Sequence, residues 1–264
     1  MIETIQGPPP TEQASQNNTT GLAEPVIEID ELSFRWSAGL DPLLEIEHLE
    51  IQSGEKVFIE GPSGSGKSTL LNLLAGVLVP QRGEVRILDQ RMTTTGSADR
   101  DRFRADHIGV IFQMFNLIPY LSVTENVTLP CRFSKQKYTK TTERSGGPAR
   151  EAQRLLSALN LADPDLLRRP VTDLSVGQQQ RVAAARALIG APDIVIADEP
   201  TSSLDAGHRE AFIKLLFQEC EQAGTTLVFV SHDNSLARFF DRAYALQEIN
   251  KASTPFEAME AQAP

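Results

Sequence analysis

The sequence contains few cysteines, no long apolar run and too little positive charge to balance its acids. Its two cysteines, Cys131 and Cys220, are too few for a disulfide framework and form no metal-binding motif. No stretch approaches the roughly 18 consecutive apolar residues that a membrane-spanning helix requires. Residues 1–24 contain no lysine or arginine, so we expect no secretory signal peptide. These absences argue against a disulfide-stabilised secreted protein and a membrane-spanning one, and they favour a reducing cytosol.

The charge balance narrows the range of partners. Lysine and arginine total 25 against 35 aspartate and glutamate residues, a net charge of −10. Non-specific nucleic-acid binding needs a basic face, so we expect no nucleic-acid partner. The chain of 264 residues with 41% hydrophobic residues is long and apolar enough for one large domain or two small ones.

Apolar runs alternate with helical patterns between two polar ends. Residues 1–24 are rich in proline, glutamine, asparagine and threonine and predict a disordered tail, and 248–264 predict a C-terminal tail. Short apolar runs at 57–59, 194–196 and 227–230 predict buried strands, whereas 70–74, 152–159 and 212–216 have helical spacing. This alternation predicts an α/β domain over 25–247, with a largely parallel sheet covered on both faces. Residues 100–190 show few strand-like runs and predict an inserted helical lobe.

One segment departs from the acidic composition. Residues 134–150 contain Lys135, Lys137, Lys140, Arg144 and Arg150 against Glu143 alone. A solvated surface loop explains such a charge run. The alternative is contact with an anionic membrane surface or with a cytoplasmic loop of a partner.

The strongest chemical motif is a phosphate-binding loop. Residues 61–68 read GPSGSGKS and match G-x-x-x-x-G-K-[S/T] between an apolar strand and a helix. Glycines let backbone N–H groups approach phosphate oxygens, and the helix N-terminus adds positive potential. Lys67 would contact the β- and γ-phosphates and Ser68 would bind Mg²⁺. The candidate nucleotide-binding residues here are Gly61, Pro62, Ser63, Gly64, Ser65, Gly66, Lys67, Ser68 and Thr69.

A second acidic element complements this loop. Residues 194–200 read IVIADEP, an apolar strand that ends in two carboxylates. Asp198 would bind Mg²⁺ directly or through water, and Glu199 would orient or deprotonate an attacking water. Such a strand is a weak signal alone, but together with the phosphate loop it predicts hydrolysis of a nucleoside triphosphate.

Several further motifs follow in a recognisable order. Residues 174–183 read LSVGQQQRVA, which resembles the signature of the ATP-binding-cassette (ABC) ATPases, usually LSGGQ. Gln113 resembles the Q-loop glutamine, Asp205 ends a D-loop-like SSLD, and His232 resembles the switch histidine. Trp36 lies where this family places an aromatic residue that stacks on adenine, although a lone tryptophan on a strand is often a core residue. The resemblance covers about 25–247.

The resemblance implies a fold and a set of roles. The family fold is a P-loop NTPase (RecA-like) core with an antiparallel β subdomain and an inserted α-helical subdomain. Its ligands are ATP and Mg²⁺, and its cassettes pair head-to-tail, which implies a homodimer here. Ser175, Gly177, Gln178 and Asp205 would then close over the partner's ATP. Gln113 would reach the metal or the water, and His232 would contact the γ-phosphate; the implied catalytic set is Glu199, His232, Gln113 and Lys67.

Two departures from the family pattern carry expectations of their own. Val176 replaces a usual glycine; valine would be strained at positive φ but costs little if it only begins the helix, which we favour. After 243–246 the family commonly turns through a glycine into another strand, whereas 247–253 contain no glycine. We therefore expect a compact cassette without an appended regulatory domain.

Residues 104–130 resemble the subgroup that serves lipoprotein release and macrolide-type export, although Ser202 and Ser203 replace its more usual Gly-Asn. The resemblance implies separate integral membrane permease subunits and a cytoplasmic location, peripheral on the inner face of the membrane. Phe115, Leu117, Ile118 and Tyr120 would help form the permease groove, or they are core residues beneath the Q-loop. Two alternatives are a soluble ABC ATPase of translation or DNA repair, and a degenerate cassette that only binds nucleotide.

Overall fold

The computed structural model describes residues 25–252, which form two sheets and eight helices. The first sheet is antiparallel, with the order β2-β1-β4-β5. Its strands are β1 (Pro25–Phe34), β2 (Leu44–Gln52), β4 (Arg82–Ile87) and β5 (Gln90–Arg91). Apolar residues alternate along β2 and turn one face of the sheet inward, while charged residues occupy the other face.

The second sheet is parallel and positions the predicted nucleotide-binding motifs at one edge. Its order is β6-β7-β8-β3-β9, with β3 (Lys56–Glu60), β6 (Ile108–Ile111), β7 (Ile194–Asp198), β8 (Thr226–Ser231) and β9 (Arg242–Ala245). Every residue of β8 is buried, as expected for a strand covered on both faces. The strands predicted from the three apolar runs therefore pair side by side, and their carboxyl ends meet at one edge.

The helices cover both faces of this parallel sheet. They are α1 (Lys67–Leu74), α2 (Ser97–His107), α3 (Val123–Thr128), α4 (Lys135–Ser145), α5 (Pro148–Ala158), α6 (Val176–Leu188), α7 (Ala206–Ala223) and α8 (Leu246–Ile249). Short 3-10 helices lie at Leu129–Arg132, Leu166–Arg168, Val171–Asp173 and Asn234–Phe239. Between residues 25 and 252, no helix combines the length and apolarity needed to cross a membrane.

Two apolar clusters hold these layers together. The antiparallel sheet and α1 pack on one face of the parallel sheet, around Ile59, Leu70 and Ile196. The other face packs against α3, α5, α6 and α7, around Phe58, Phe212 and Phe229. The predicted α/β class, with a parallel sheet, an antiparallel sheet and added helices, is confirmed.

The structure changes the interpretation of the basic segment 134–150. The prediction that this segment is a solvated surface loop is wrong, because α4 and the start of α5 occupy it. Lys137 is 2% exposed, and its amine donates a hydrogen bond of 3.0 Å to the Ile108 carbonyl. Charge count misleads here because the aliphatic stem of a lysine packs like an apolar residue when its amine finds an acceptor.

The domain limits remain a prediction, with two details added by the structure. The interval 100–190 contains β6, which belongs to the parallel sheet and not to a helical lobe. Residues 248–252 do not form a free tail, because α8 continues to Ile249 and Ala252 is buried. The predicted disordered tail 1–24 and the remainder of the C-terminal tail lie outside the described residues.

Candidate active site

The phosphate loop connects the end of β3 at Glu60 to the start of α1 at Lys67. Gly66 has φ of 97°, a left-handed conformation that a side chain would strain. A Cβ atom added there would lie 3.0 Å from Leu44 Cδ2, so the position also lacks room for one. No side chain caps the start of α1. Its first N–H groups are therefore placed to bind phosphate oxygens.

Lys67 is buried inside the loop. Its amine donates hydrogen bonds to the carbonyls of Gly61 at 2.7 Å and Pro62 at 2.8 Å. The same nitrogen lies 3.6 Å from Glu199 Oε1, and the lysine is 7% exposed. A fixed ammonium group at this point can contact the phosphates of a bound nucleotide.

Asp198 faces the first turn of α1 from the end of β7. Ser68 Oγ donates a hydrogen bond of 3.0 Å to Asp198 Oδ2. Burial raises the pKa of the Asp198 carboxyl, and the Ser68 hydrogen bond acts in the opposite direction. A hydroxyl and a carboxylate at this spacing are the oxygen donors that Mg²⁺ takes beside substrate phosphates. Residues 25–252 contain no group of three or more His, Cys, Asp or Glu residues suited to a metal.

Glu199 is the most constrained carboxylate of the site. It is 8% exposed, has φ of 44°, and its N–H group donates to the Val230 carbonyl at 2.9 Å. Glu199 Oε2 lies 2.5 Å from His232 Nδ1. The carboxylate is thus held between Lys67 and His232, at the common edge of β7 and β8. A positive φ in a non-glycine residue is uncommon and marks a position that the surrounding structure determines.

Trp36 is exposed, as a base-stacking residue requires. It is 61% exposed and packs edge-on against Phe34, with ring centroids 5.3 Å apart. Leu43 lines the same small cavity as Gly64, Lys67 and Thr69 of the phosphate loop. Sequence reasoning missed Leu43, because an apolar residue before a strand gives no signal of a binding site.

The other predicted residues lie apart from this cluster. Gln113 follows β6 by two residues and is exposed, beyond the strand end that neighbours β7. Ser175 caps α6, and its side chain accepts from the Gln178 N–H group. Asp205 caps α7 in the same way, accepting from the His208 N–H group. Within 25–252, no hydrogen bond joins these residues to the phosphate loop.

Val176 occupies the first turn of α6 without strain. It is 49% exposed and is absent from the residues with positive φ. A Cβ atom at Gly177 would meet Leu204 at 3.7 Å, an ordinary contact. The first turn of α6 thus shows no sign that valine distorts it, in agreement with the interpretation that it only begins the helix.

A groove lies between the parallel sheet and the lobe helices. Its volume is about 460 Å³, and Asp101, Arg104, Phe112, Asn116, Phe133 and Lys137 contribute to its lining. None of the four residues predicted for a permease groove lines this one. Phe115 is buried in the core, Leu117 packs half-buried against the core, Ile118 is half-buried, and Tyr120 is 82% exposed. For Phe115 and Leu117 the alternative interpretation, core residues, is the one observed.

Comparison with known proteins places this site in a family. The sequence profile of the ABC transporter family matches residues 44–202, a span from β2 past the Asp198–Glu199 pair. The chain belongs to the ABC transporter family. This ABC cassette is 39% identical over 227 residues to an uncharacterized ABC transporter ATP-binding protein of Mycobacterium tuberculosis, covering 85% of this chain and 88% of the relative.

Two further comparisons refine the placement. LolD of Xylella fastidiosa, the ATP-binding protein of a lipoprotein-releasing system, is 38% identical over 229 residues, covering 86% and 92% of the two chains. The dimeric post-hydrolysis structure of the cassette MJ0796, from Methanocaldococcus jannaschii, bound to ADP and Pi, aligns with a TM-score of 0.74 and 35% identity. That alignment covers 86% of this chain and 98% of the other.

The expectations about class are therefore confirmed. The ABC cassette is a transporter-type ATPase with ATP and Mg²⁺ as family ligands, and its likeness to the lipoprotein-release subgroup holds. The comparisons favour this class over a soluble ABC ATPase of translation or DNA repair.

Proposed function

We propose that this chain is the ATP-hydrolysing subunit of an export- or lipoprotein-release-type ABC transporter. It acts as a head-to-tail pair of cassettes that drives separate membrane permease subunits. The observation that carries this function is the cluster of Lys67, Asp198, Glu199 and His232 around the phosphate loop.

The chemistry follows from the position of Glu199. Its buried carboxylate takes a proton from the attacking water, while the rigid backbone at this residue keeps it aimed at the γ-phosphate. His232, more than half exposed beside Glu199, donates to the γ-phosphate as negative charge develops there. Lys67 holds the β- and γ-phosphates, and the loop from Gly61 to Thr69 binds them through backbone N–H groups.

Ser68 and Asp198 would hold Mg²⁺, and Gln113 would approach it when the lobe moves. When bound, Mg²⁺ neutralises charge on the phosphate oxygens. The Ser68 and Asp198 side chains would set the position of the ion, because the Ser68 hydroxyl already donates a hydrogen bond to the Asp198 carboxylate.

Pairing of two cassettes explains why the signature motif lies apart from the phosphate loop. Ser175, Gly177 and Gln178 form the exposed start of α6, and Asp205 forms the exposed start of α7. A helix N-terminus binds anionic oxygens, so the signature of one copy closes over the γ-phosphate held by the other. Contacts from both copies favour the closed pair, and hydrolysis removes them.

The groove between the parallel sheet and the lobe helices receives the permease. Exposed Phe112 and Phe133 supply apolar surface, and Arg104 and Asp101 supply charge at the edge. Aromatic residues in a concave surface are typical anchors for a partner segment. With a permease bound in this groove, the chain would lie in the cytoplasm, peripheral on the inner face of the membrane. Its net charge of −10 disfavours a nucleic-acid partner.

Glu199→Gln tests the assignment. The amide keeps the shape of the side chain but cannot accept a proton, so we expect turnover to fall at least a hundredfold while ATP binding persists. Size-exclusion chromatography with MgATP should then show a stable pair. Glu210→Gln, an exposed carboxylate on α7, is the matched control and should hydrolyse ATP normally. Near-normal turnover by Glu199→Gln would remove Glu199 as the base.

A further inference from the structure

The C-terminal end of the described chain packs behind the phosphate loop. Residues 246–252, which we call the C-terminal latch, comprise α8 and the three residues after it. Leu246, Asn250 and Ala252 line a small cavity together with Ser65 of the phosphate loop. Leu246 is 1% exposed. The latch therefore packs against the phosphate loop from behind, although its sequence resembles a tail.

Asn250 ties the latch to the start of β2. Its Oδ1 atom accepts from the Glu45 N–H group at 2.8 Å, and its Nδ2 atom donates to the Leu43 carbonyl at 3.0 Å. The Lys251 N–H group adds a bond of 2.7 Å to the Glu45 carbonyl. A carboxamide both donates and accepts, so an aspartate or a leucine of similar size could not make the same pair of bonds.

Leu43 connects this anchor to the nucleotide site. Its N–H group donates to the Phe34 carbonyl at 2.8 Å, so the Leu43 residue is held at both ends of its backbone. Leu43 also lines the cavity at the phosphate loop, with its Cγ atom 3.5 Å from the position of a Cβ atom at Gly66. It thus lies between the end of β1, two residues before Trp36, and the loop that binds phosphate.

The chain just before Trp36 is held separately from Leu43. Arg35 is fixed by Gln81, whose side chain bonds both the N–H group and the carbonyl of Arg35. Beyond Trp36 the chain runs through a loop that ends at Leu43, where it joins β2. The position of Leu43, where this loop ends, is therefore set by its hydrogen bonds to the Phe34 carbonyl and to the Asn250 side chain.

We infer that Asn250 is a positioning residue for the adenosine half of the nucleotide. By fixing Leu43, it sets the spacing between Trp36 and the phosphate loop, which must match the distance from adenine to phosphate. This inference rests on the proposed function, because it takes Trp36 as the adenine platform. The Asn250 carboxamide thus holds the start of β2 in place by two hydrogen bonds, as a further strand paired with β2 could do.

Equilibrium binding of MgADP tests the inference without turnover or pairing. We expect Asn250→Ala to weaken MgADP about three- to tenfold, since about two hydrogen bonds that hold Leu43 and Glu45 are lost. Glu248→Ala, an exposed position on the same helix, is the control and should bind like the parent. Magnesium pyrophosphate lacks the adenosine, and its affinity, measured by competition, should stay unchanged in Asn250→Ala.

A double-variant cycle separates positioning from general damage. If Asn250 acts through Trp36, the two effects on MgADP affinity should not add. The double variant Trp36→Ala/Asn250→Ala should then have the same MgADP affinity as whichever single variant has the lower affinity. Asn250→Asp keeps the acceptor for Glu45 but sets a carboxylate against the Leu43 carbonyl, so it should weaken MgADP at least as much as alanine does.

Three results would overturn the inference while leaving the proposed function intact. They are parent-like MgADP affinity in both Asn250 variants, equal loss of pyrophosphate affinity, and fully additive effects with Trp36→Ala. A parent chain that binds no MgADP would instead overturn the proposed function itself.

Discussion

Replacing Lys137 with methionine should stabilise the protein, and the gain should fall as the pH rises. The Lys137 amine lies between α4 and β6, and burial lowers its pKa to about 8 from the ordinary value of 10.5. The Cys131 thiol, Asp106 and Asp193 raise this pKa and only partly offset the burial, whereas the nearby charge of Lys140 lowers it further.

The sign follows from proton binding in the two states. Between about pH 8 and 10.5 the unfolded chain binds a proton at Lys137 that the folded chain has released, so the stability of the parent rises with pH. Below this window both states are protonated and the full penalty of about 3 kcal/mol applies. Methionine removes the penalty and loses one hydrogen bond of about 1 kcal/mol, a net gain of about 2 kcal/mol at pH 7.

Denaturant unfolding at several pH values measures this effect. The difference in unfolding free energy between Lys137→Met and the parent should fall by about 2.5 kcal/mol from about pH 7 to about pH 10. Lys135→Met, an exposed position on the same helix, controls for loss of a lysine side chain. A difference that stays constant across this range would refute the reasoning, since it would mean that the buried amine titrates alike in both states.

Three further outcomes are expected. Gly109→Ala should lower Tm by several degrees, because its Cβ atom would lie 2.1 Å from the Ala187 carbonyl; Gly96→Ala, whose nearest neighbour lies at 3.8 Å, should not. His232→Ala should lower kcat about a hundredfold with little change in the KM for ATP, and an unchanged kcat would exclude a transition-state role. Val176→Gly should leave ATP hydrolysis within a few-fold of the parent, because valine is unstrained there; a gain of orders of magnitude in steady-state assays would contradict this.

The sequence predicted the motif-bearing edge of the sheet because its signals are local. The glycine pattern before Lys67 and the apolar run before Asp198 each specify a strand end, and parallel pairing then brings strand ends together. The order of motifs predicted the family for the same reason. These features need no knowledge of distant contacts, which is why they could be read from one chain.

Other features depended on contacts between distant residues. Lys137 is a charged residue in a basic run. Nothing near it in sequence indicates that its amine donates a hydrogen bond to the Ile108 carbonyl, 29 residues away. Asn250 and Leu43 meet across 207 residues, so the latch could be interpreted only as a tail. The groove also differed from expectation, because Phe115 packs in the core, whereas Phe133, at the end of the 3-10 helix Leu129–Arg132, lines the groove.

The contact between Lys67 and Glu199 implies an order of events in catalysis. Within the chain, the ammonium group of Lys67 already has a carboxylate 3.6 Å away and two backbone carbonyls as acceptors. A triphosphate arriving in the loop competes for that ammonium group, and Glu199 then loses one of its two partners. The carboxylate oxygen that faced Lys67 is then free to accept a hydrogen bond, and later a proton, from water. Substrate binding would thus arm the base, and water that enters without nucleotide would meet a carboxylate still engaged by lysine.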